Sequence, residues 1–183
     1  MSEVATSILV VLTTDQKGAI AETAITLAAI KLGIEVYRPI AEGGRFDMIF
    51  VVCDRLVRVQ CKSAQLYGDI VVVRCYSARR TREGLRRRLY SADEVDAFAA
   101  YCADLDRCYY LPFEAFGSQT QVYLRLSPAR NNQRLLVNWA RDYEFAATLG
   151  RHHGAIAQLG ERLDGIQKVA GSSPAGSIES LPR

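Results

Sequence analysis

A chain of 183 residues, 49% of them hydrophobic, can bury one core but not two large ones. A formal net charge of +3 excludes tight nucleic-acid binding by global charge alone, so any such affinity must come from local basic surfaces. Five cysteines without CxxC spacing (Cys53, Cys61, Cys75, Cys102, Cys108) read as small buried thiols in a reducing, cytoplasmic setting rather than as a disulfide frame or zinc site.

Residues 7–12 form a short apolar run with no basic segment before it and no cleavage-type sequence after it. They read as neither signal peptide nor membrane span, and residues 1–11 are expected to be an N-terminal extension, an added strand or a product of an upstream start. Thr13-Thr14-Asp15-Gln16 then has the form of a capping box, with Thr13 as N-cap and Gln16 at the third helical position. The helix is expected to run to about Gly33. Between Lys17 and Lys31 it carries one charge, Glu22, which predicts a helix buried on most sides and a carboxylate that needs a cation. A wet stripe or an arginine partner for Glu22 is the alternative. Gly18 costs helix stability, so its place in the first turns hints at close backbone approach, for example by a phosphate.

Residues 46–62 are two apolar β-type runs around the polar break Cys53-Asp54-Arg55, which predicts an antiparallel hairpin. Alternation puts Arg58, Gln60 and Lys62 on one face and Val57, Val59 and Cys61 on the other. A turn centred on Asp54 sets Asp47 opposite Cys61, so that an acid, an amide and a lysine converge on one sheet edge. A carboxylate with a second oxygen ligand can hold Mg²⁺, and a nearby ammonium can orient or deprotonate water or steady a phosphate, which suits phosphodiester hydrolysis. A hairpin with one solvated face is the plain alternative.

Residues 69–76 read as a further strand, apolar enough to be central. They lead into the densest charge of the chain, Arg79, Arg80, Arg82, Arg86, Arg87 and Arg88, six arginines within ten residues. With Thr81 and Gly84 opposing a helix, the segment is expected to be a basic loop that bonds phosphates through planar guanidinium forks. Residues 91–101 begin with a serine cap and early acids and predict a helix whose acids face solvent. Residues 107–112 and 121–126 read as two more strands, their tyrosines belonging to the core more readily than to base stacking. Arg130, Asn131, Asn132 and Gln133 can pair with base edges or can cap a turn, and Trp139 and Phe145 are expected to anchor the last structured segment.

Beyond Gly150 the composition turns to Gly, Ala, Ser and Pro, which predicts a disordered tail over residues 151–183. The peptides at 154–162 and 170–175 can be encoded by the D-arm and T-arm of a bacterial-type tRNA. Residues 163–167 back-translate to a stretch around an alanine-type anticodon. The expectation is a reading frame that runs into a tRNA gene, a context that suits a mobile element at such a locus.

Taken in order, Lys17-Gly18-Ala19-Ile20-Ala21-Glu22, Tyr37-Arg38-Pro39, Gly44-Arg45-Phe46-Asp47 and Val59-Gln60-Cys61-Lys62 resemble the PD-(D/E)XK nucleases. The resemblance is to the small branch that includes group I intron homing endonucleases, and it spans residues 12–149. It implies an α/β, restriction-endonuclease-like core with a mixed sheet flanked by helices, occupying residues 12–150. It further implies Mg²⁺-dependent cleavage of double-stranded DNA, with Mn²⁺ able to substitute. Asp47 would be the motif acid and a metal ligand, Gln60 would stand where the family name has Asp or Glu, Lys62 would be the motif lysine, and Glu22 would be the helix carboxylate near the metal. Lys17, Gly18 and the six arginines would contact the DNA backbone, and residues 130–133 its bases.

The departures from the pattern are a missing Pro-Asp dipeptide, replaced by Ile40-Ala41 and the glycines before Arg45, and the neutral Gln60. The homing branch is similar in using glutamine there. A Holliday junction resolvase-like nuclease and a catalytically inactive DNA-binding module are the rival readings. A small domain facing a long site further implies a homo-oligomer, dimer or tetramer, on a pseudo-palindrome. If the tail is a copied tRNA gene, deleting everything after Gly150 is expected to leave melting temperature and cleavage nearly unchanged. A large loss of either would show that the tail packs on the domain.

Overall fold

The computed structural model describes residues 11–41, 43–117, 119–128 and 137–150. The extension (apart from exposed Val11), the polar cluster from Arg130 to Gln133 and the expected tail lie outside the described residues.

Helix α1, Thr14–Lys31, starts at the capping box: Thr13 Oγ1 accepts the Gln16 N–H at 3.2 Å, and Gln16 Oε1 accepts the Thr13 N–H at 2.9 Å. It ends in a Schellman arrangement. Gly33 takes φ 77°, its N–H bonds the Ile30 carbonyl, and the Ile34 N–H bonds that of Ala29. The helix is not buried on most sides. Ala21, Ile25 and Ala29, one stripe at a four-residue spacing, are covered, whereas Leu27 and Ile30 are more than half exposed. Its small residues serve close approach on one face rather than burial all round.

Strand β1, Glu35–Tyr37, is the edge of a mixed sheet and pairs antiparallel with β2, Met48–Val52. The predicted hairpin is present, joining β2 to the long β3, Arg55–Tyr67. Its register differs by one residue from the expected one. Cys53 and Asp54 both adopt left-handed backbone (φ 51° and 60°), making a two-residue turn in which Val52 pairs with Arg55 and Met48 with Val59. Carried one step past that last pair, the register sets Asp47 level with Gln60 and not with Cys61. The alternation of faces is as expected, with Val59 and Cys61 buried and Gln60 and Lys62 partly covered.

Past Cys61 the long strand runs on to pair with β4, Ile70–Arg74, which is central between β3 and β9, Gln121–Arg125. Two corrections follow from β4 onward. The arginine segment is not a loop but a two-stranded antiparallel ribbon, β5 (Tyr76–Thr81) and β6 (Gly84–Leu89), with its tip at Arg82 and Glu83.

The segment expected to be a helix at 91–101 is instead a turn at Ser91 to Glu94 followed by strand β7, Ala97–Cys102, parallel to β3. Ala97, Phe98, Ala99 and Ala100 are all fully buried. Ala99 packs with Ile25 and Ala29 of α1, while Phe98 and Ala100 pack on the opposite face with Val71, Val73 and Leu111. A parallel strand covered on both sides reads as a continuous apolar run, and the alanines that mimic helix propensity here give α1 room to approach. Of the three acids expected to face solvent, Asp93 is exposed, whereas Asp96 bonds Arg58 and Glu94 bonds Arg45 and Arg88.

Strand β8, Arg107–Pro112, closes the sheet beside β7, followed by the short helix α2, Phe113–Phe116. A short helix α3, Phe145–Thr148, lays Phe145 edge-on against Phe50 and Tyr110, so Phe145 anchors the end of the described fold as expected. All five cysteines are free; Cys61, Cys75 and Cys102 are buried and Cys53 is exposed at its turn. Among the described residues, no helix is long and apolar enough to cross a membrane.

Candidate active site

The ladder between β2 and β3 stops at the Met48–Val59 pair, with a last bond from the Asp47 N–H to the Val59 carbonyl at 2.9 Å. Beyond that point the Cys61 N–H has lost its partner strand, and the Asp47 carboxylate takes its place: Oδ2 accepts the Cys61 N–H at 2.8 Å and a second bond from the Gln60 side-chain amide. Gln60 and Asp47 are thus held together by the end of a ladder. Burial pushes the Asp47 carboxyl above its ordinary range, opposed by the Cys61 N–H, by the charges of Lys62 and Arg38 and by the Gln60 amide. Those groups leave the carboxylate short of compensation for its desolvation, which is the environment a bound cation would relieve.

Asp47 opens onto a cavity of about 570 Å³ between the first turns of α1 and the loop after β1, lined also by Gly18, Glu22, Arg38 and Gly44. Glu22 bonds the Arg38 guanidinium, so the arginine partner allowed by the sequence is present. Arg38 was not foreseen as a site residue, since it lies in a separate stretch after β1 and meets α1 only through the fold. Among the described residues, a Cβ built at Gly18 would meet nothing within 4 Å, and Gly18 lines the cavity. Gly18→Ala is therefore expected to stabilise the free protein by about 0.5–1 kcal/mol through helix propensity, while weakening DNA binding or cleavage if a phosphate uses that space. Thermal unfolding and a binding titration check the two arms; unchanged function would leave Gly18 without a role. Lys17 is exposed and does not line this cavity.

Lys62 projects from the same strand face as Gln60, but towards the base of the ribbon. Its ammonium donates to Tyr90 Oη at 2.9 Å and to the Tyr76 carbonyl at 3.2 Å. Burial lowers its pKa to about 8, against the pull of Asp47 towards the charged form. Lys62 also lines a basic cleft of about 410 Å³ with Arg74, Tyr76, Arg87 and Gln121. Of these, Arg74 and Gln121 carried no sequence signal, because only the pairing of β4 with β9 brings them together.

Along the ribbon, Arg80, Arg82, Arg86, Arg87 and Arg88 are exposed. Arg86 and Arg88 share one face and Arg80 and Arg87 the other, as the pairs Ser77–Arg88, Ala78–Arg87 and Arg80–Leu85 require. A larger opening of about 660 Å³ by the Cys53 turn holds Asp96, whose carboxylate is already taken by Arg58 at 2.7 Å.

Among the described residues, no three His, Cys, Asp or Glu side chains cluster to hold a metal. The Asp47 and Glu22 carboxylates line one cavity as hard oxygen donors, and the Gln60 amide, whose N–H bonds Asp47, lies beside them. That set fits Mg²⁺, which keeps several waters and needs few protein ligands.

The family described as PD-(D/E)XK endonuclease matches the chain over residues 12–146. A solved bacterial homing endonuclease, I-Ssp6803I, superposes with a TM-score of 0.63 at 27% sequence identity, covering 80% of this chain and 99% of that one. No curated protein sequence matches the chain.

Proposed function

The chain belongs to the PD-(D/E)XK endonuclease family, and from that premise we propose that it is a Mg²⁺-dependent, homing-type endonuclease that hydrolyses double-stranded DNA. The observation that carries this reading is the junction at the end of the β2–β3 ladder: Asp47 fixed by the Cys61 N–H, Gln60 bonded to it, Lys62 close enough to feel its charge, and Glu22 lining the same cavity.

Asp47, with Gln60 and Glu22, would hold the metal, Mg²⁺ or Mn²⁺, which when bound polarises a phosphoryl oxygen and makes a hydroxide available near neutral pH. The Cys61 N–H and the Gln60 amide orient the Asp47 carboxylate. Lys62, largely desolvated, holds or releases a proton beside the reacting phosphate. The ribbon arginines, from Arg79 and Arg80 through Arg82 to Arg86, Arg87 and Arg88, supply phosphate contacts, and Arg130, Asn131, Asn132 and Gln133 are proposed to read bases. Gln60 removes one negative charge relative to the family pattern, which supports a site with a single firmly bound metal. A domain of this size covers too little of a long site, so a homo-oligomer on a pseudo-palindrome belongs to the same proposal, as does a mobile element at a tRNA locus.

The test is cleavage of supercoiled plasmids carrying tRNA-gene inserts, with and without Mg²⁺. Linear product only with metal is the expected result. Preferential cutting of a four-way junction would mark a resolvase-like enzyme, and binding without any cut under Mg²⁺ or Mn²⁺ would mark an inactive module.

A further inference from the structure

Tyr90 is the first residue after β6, and Tyr76 is the first residue of β5; together they form the base of the arginine ribbon, where Tyr76 pairs with Leu89. Both point their oxygens at one atom. The Lys62 ammonium donates to Tyr90 Oη at 2.9 Å and to the Tyr76 carbonyl at 3.2 Å, and it also lies 4.7 Å from the centroid of the Tyr90 ring. An ammonium has three N–H donors, so two bonds to the ribbon leave one for a phosphate or a water.

The Tyr90 ring cannot drift. It is 7% exposed, it meets Phe98 edge-on at 5.5 Å, and the Arg45 guanidinium lies 4.2 Å from its centroid. Arg45 in turn bonds the Leu89 carbonyl at 3.0 Å and the Glu94 carboxylate, which also accepts from Arg88. The side chain that meets the catalytic lysine is thus fixed by the same contacts that fasten the ribbon to the sheet.

On the strength of the endonuclease reading, we propose that Tyr90 is a positioning residue for Lys62, and that the ribbon's base and the lysine form one unit, so that the arm holding the DNA backbone also sets the place of the ammonium at the phosphate. Two neighbouring strand ends hold the lysine more rigidly than a solvated side chain would be held, and a positioned group of this kind acts on turnover rather than on affinity.

The deciding variant is Tyr90→Phe, which keeps the ring, the Phe98 contact and the Arg45 contact and deletes one oxygen. Single-turnover cleavage at saturating DNA and Mg²⁺ is expected to fall about 10- to 100-fold, as for loss of a hydrogen bond to a charged group, with Kd for DNA nearly unchanged and the protein still folding cooperatively at a melting temperature lowered by about a few degrees. In a Lys62→Met background, adding Tyr90→Phe is expected to change the residual rate no further, since Tyr90 acts through the lysine.

Wild-type turnover by Tyr90→Phe, or an undiminished effect of Tyr90→Phe in the Lys62→Met background, overturns the proposal. Nuclear Overhauser contacts between the Lys62 side chain and the Tyr90 ring in the wild-type protein test the geometry without any variant, and their absence overturns it as well. Failure of the wild type to cut any DNA would defeat the endonuclease reading alone, leaving that spectroscopic test of the contact intact.

Discussion

If, as proposed, the Asp47 carboxylate serves the metal and the phosphate contacts lie elsewhere, replacing Asp47 with alanine is expected to lower Mg²⁺-dependent cleavage by about a thousandfold or more while DNA affinity stays within a few-fold. Alanine also strips the Cys61 N–H of its acceptor, so part of any loss could come from a loosened strand end. Asp47→Asn separates the two effects: the amide oxygen still accepts from Cys61, but the charge is gone. The Asp47 carboxyl is raised above its ordinary pKa mainly by burial, so its ionised form costs stability at any pH above that raised value, and removing the charge recovers that cost. Asp47→Asn is therefore expected to melt at or above the wild-type temperature in metal-free buffer at neutral pH and still fail to cut. A variant that is both stable and fully active would remove Asp47 from the mechanism.

Neutralising Arg86, Arg87 and Arg88 together is expected to weaken binding to specific and random DNA alike. The slope of log affinity against log salt should fall by about two to three, in keeping with the phosphate contacts removed. In the free protein Arg86 bonds Glu83 with both side chains more than two-thirds exposed, and Arg87 lies over the Tyr76 ring at 5.0 Å. Exposed pairs of this kind are worth little, so a DNA phosphate can take over these side chains at small cost. Arg88 differs because its partner Glu94 is also held by Arg45, and its loss should be felt at the ribbon base as well. Fluorescence anisotropy titrations at several salt concentrations decide the matter; an unchanged slope would show that the ribbon does not hold phosphates.

Helix α1 was legible from the sequence at both ends, because the Thr13–Gln16 capping box and the Gly33 stop are local chemistry that acts the same way in any fold. The hairpin carrying Asp47, Gln60 and Lys62 was legible too, but not its register, since Cys53 and Asp54 take left-handed backbone without the glycine that usually announces it. Residues 91–101 misled for a global reason. Alanines after a serine and three acids favour a helix locally, and only the demand for small side chains between α1 and the opposite core layer makes them a strand. The arginine run looked like a loop because consecutive charges hide the alternation that pairing across the ribbon restores. Arg38, Arg45 and Tyr90 were out of reach as site residues, each lying in a stretch that meets Glu22, Glu94 or Lys62 only once the sheet has formed.

The turn at Cys53 and Asp54 also acts as a ruler. A single residue inserted there would advance β3 by one place against β2 and turn every side chain of one strand to the opposite face, taking Asp47 away from Gln60 and the Cys61 N–H even though no residue of the site had changed. The tip of the ribbon at Arg82 and Glu83 carries no such burden, because pairing there sets only the reach of the arm. Among descendants of this chain, length is thus free to vary at the ribbon tip, where, if the ribbon holds DNA as proposed, it would alter how much DNA is grasped. Insertions at the first hairpin would be eliminated, or would survive only in copies that have already lost the power to cut.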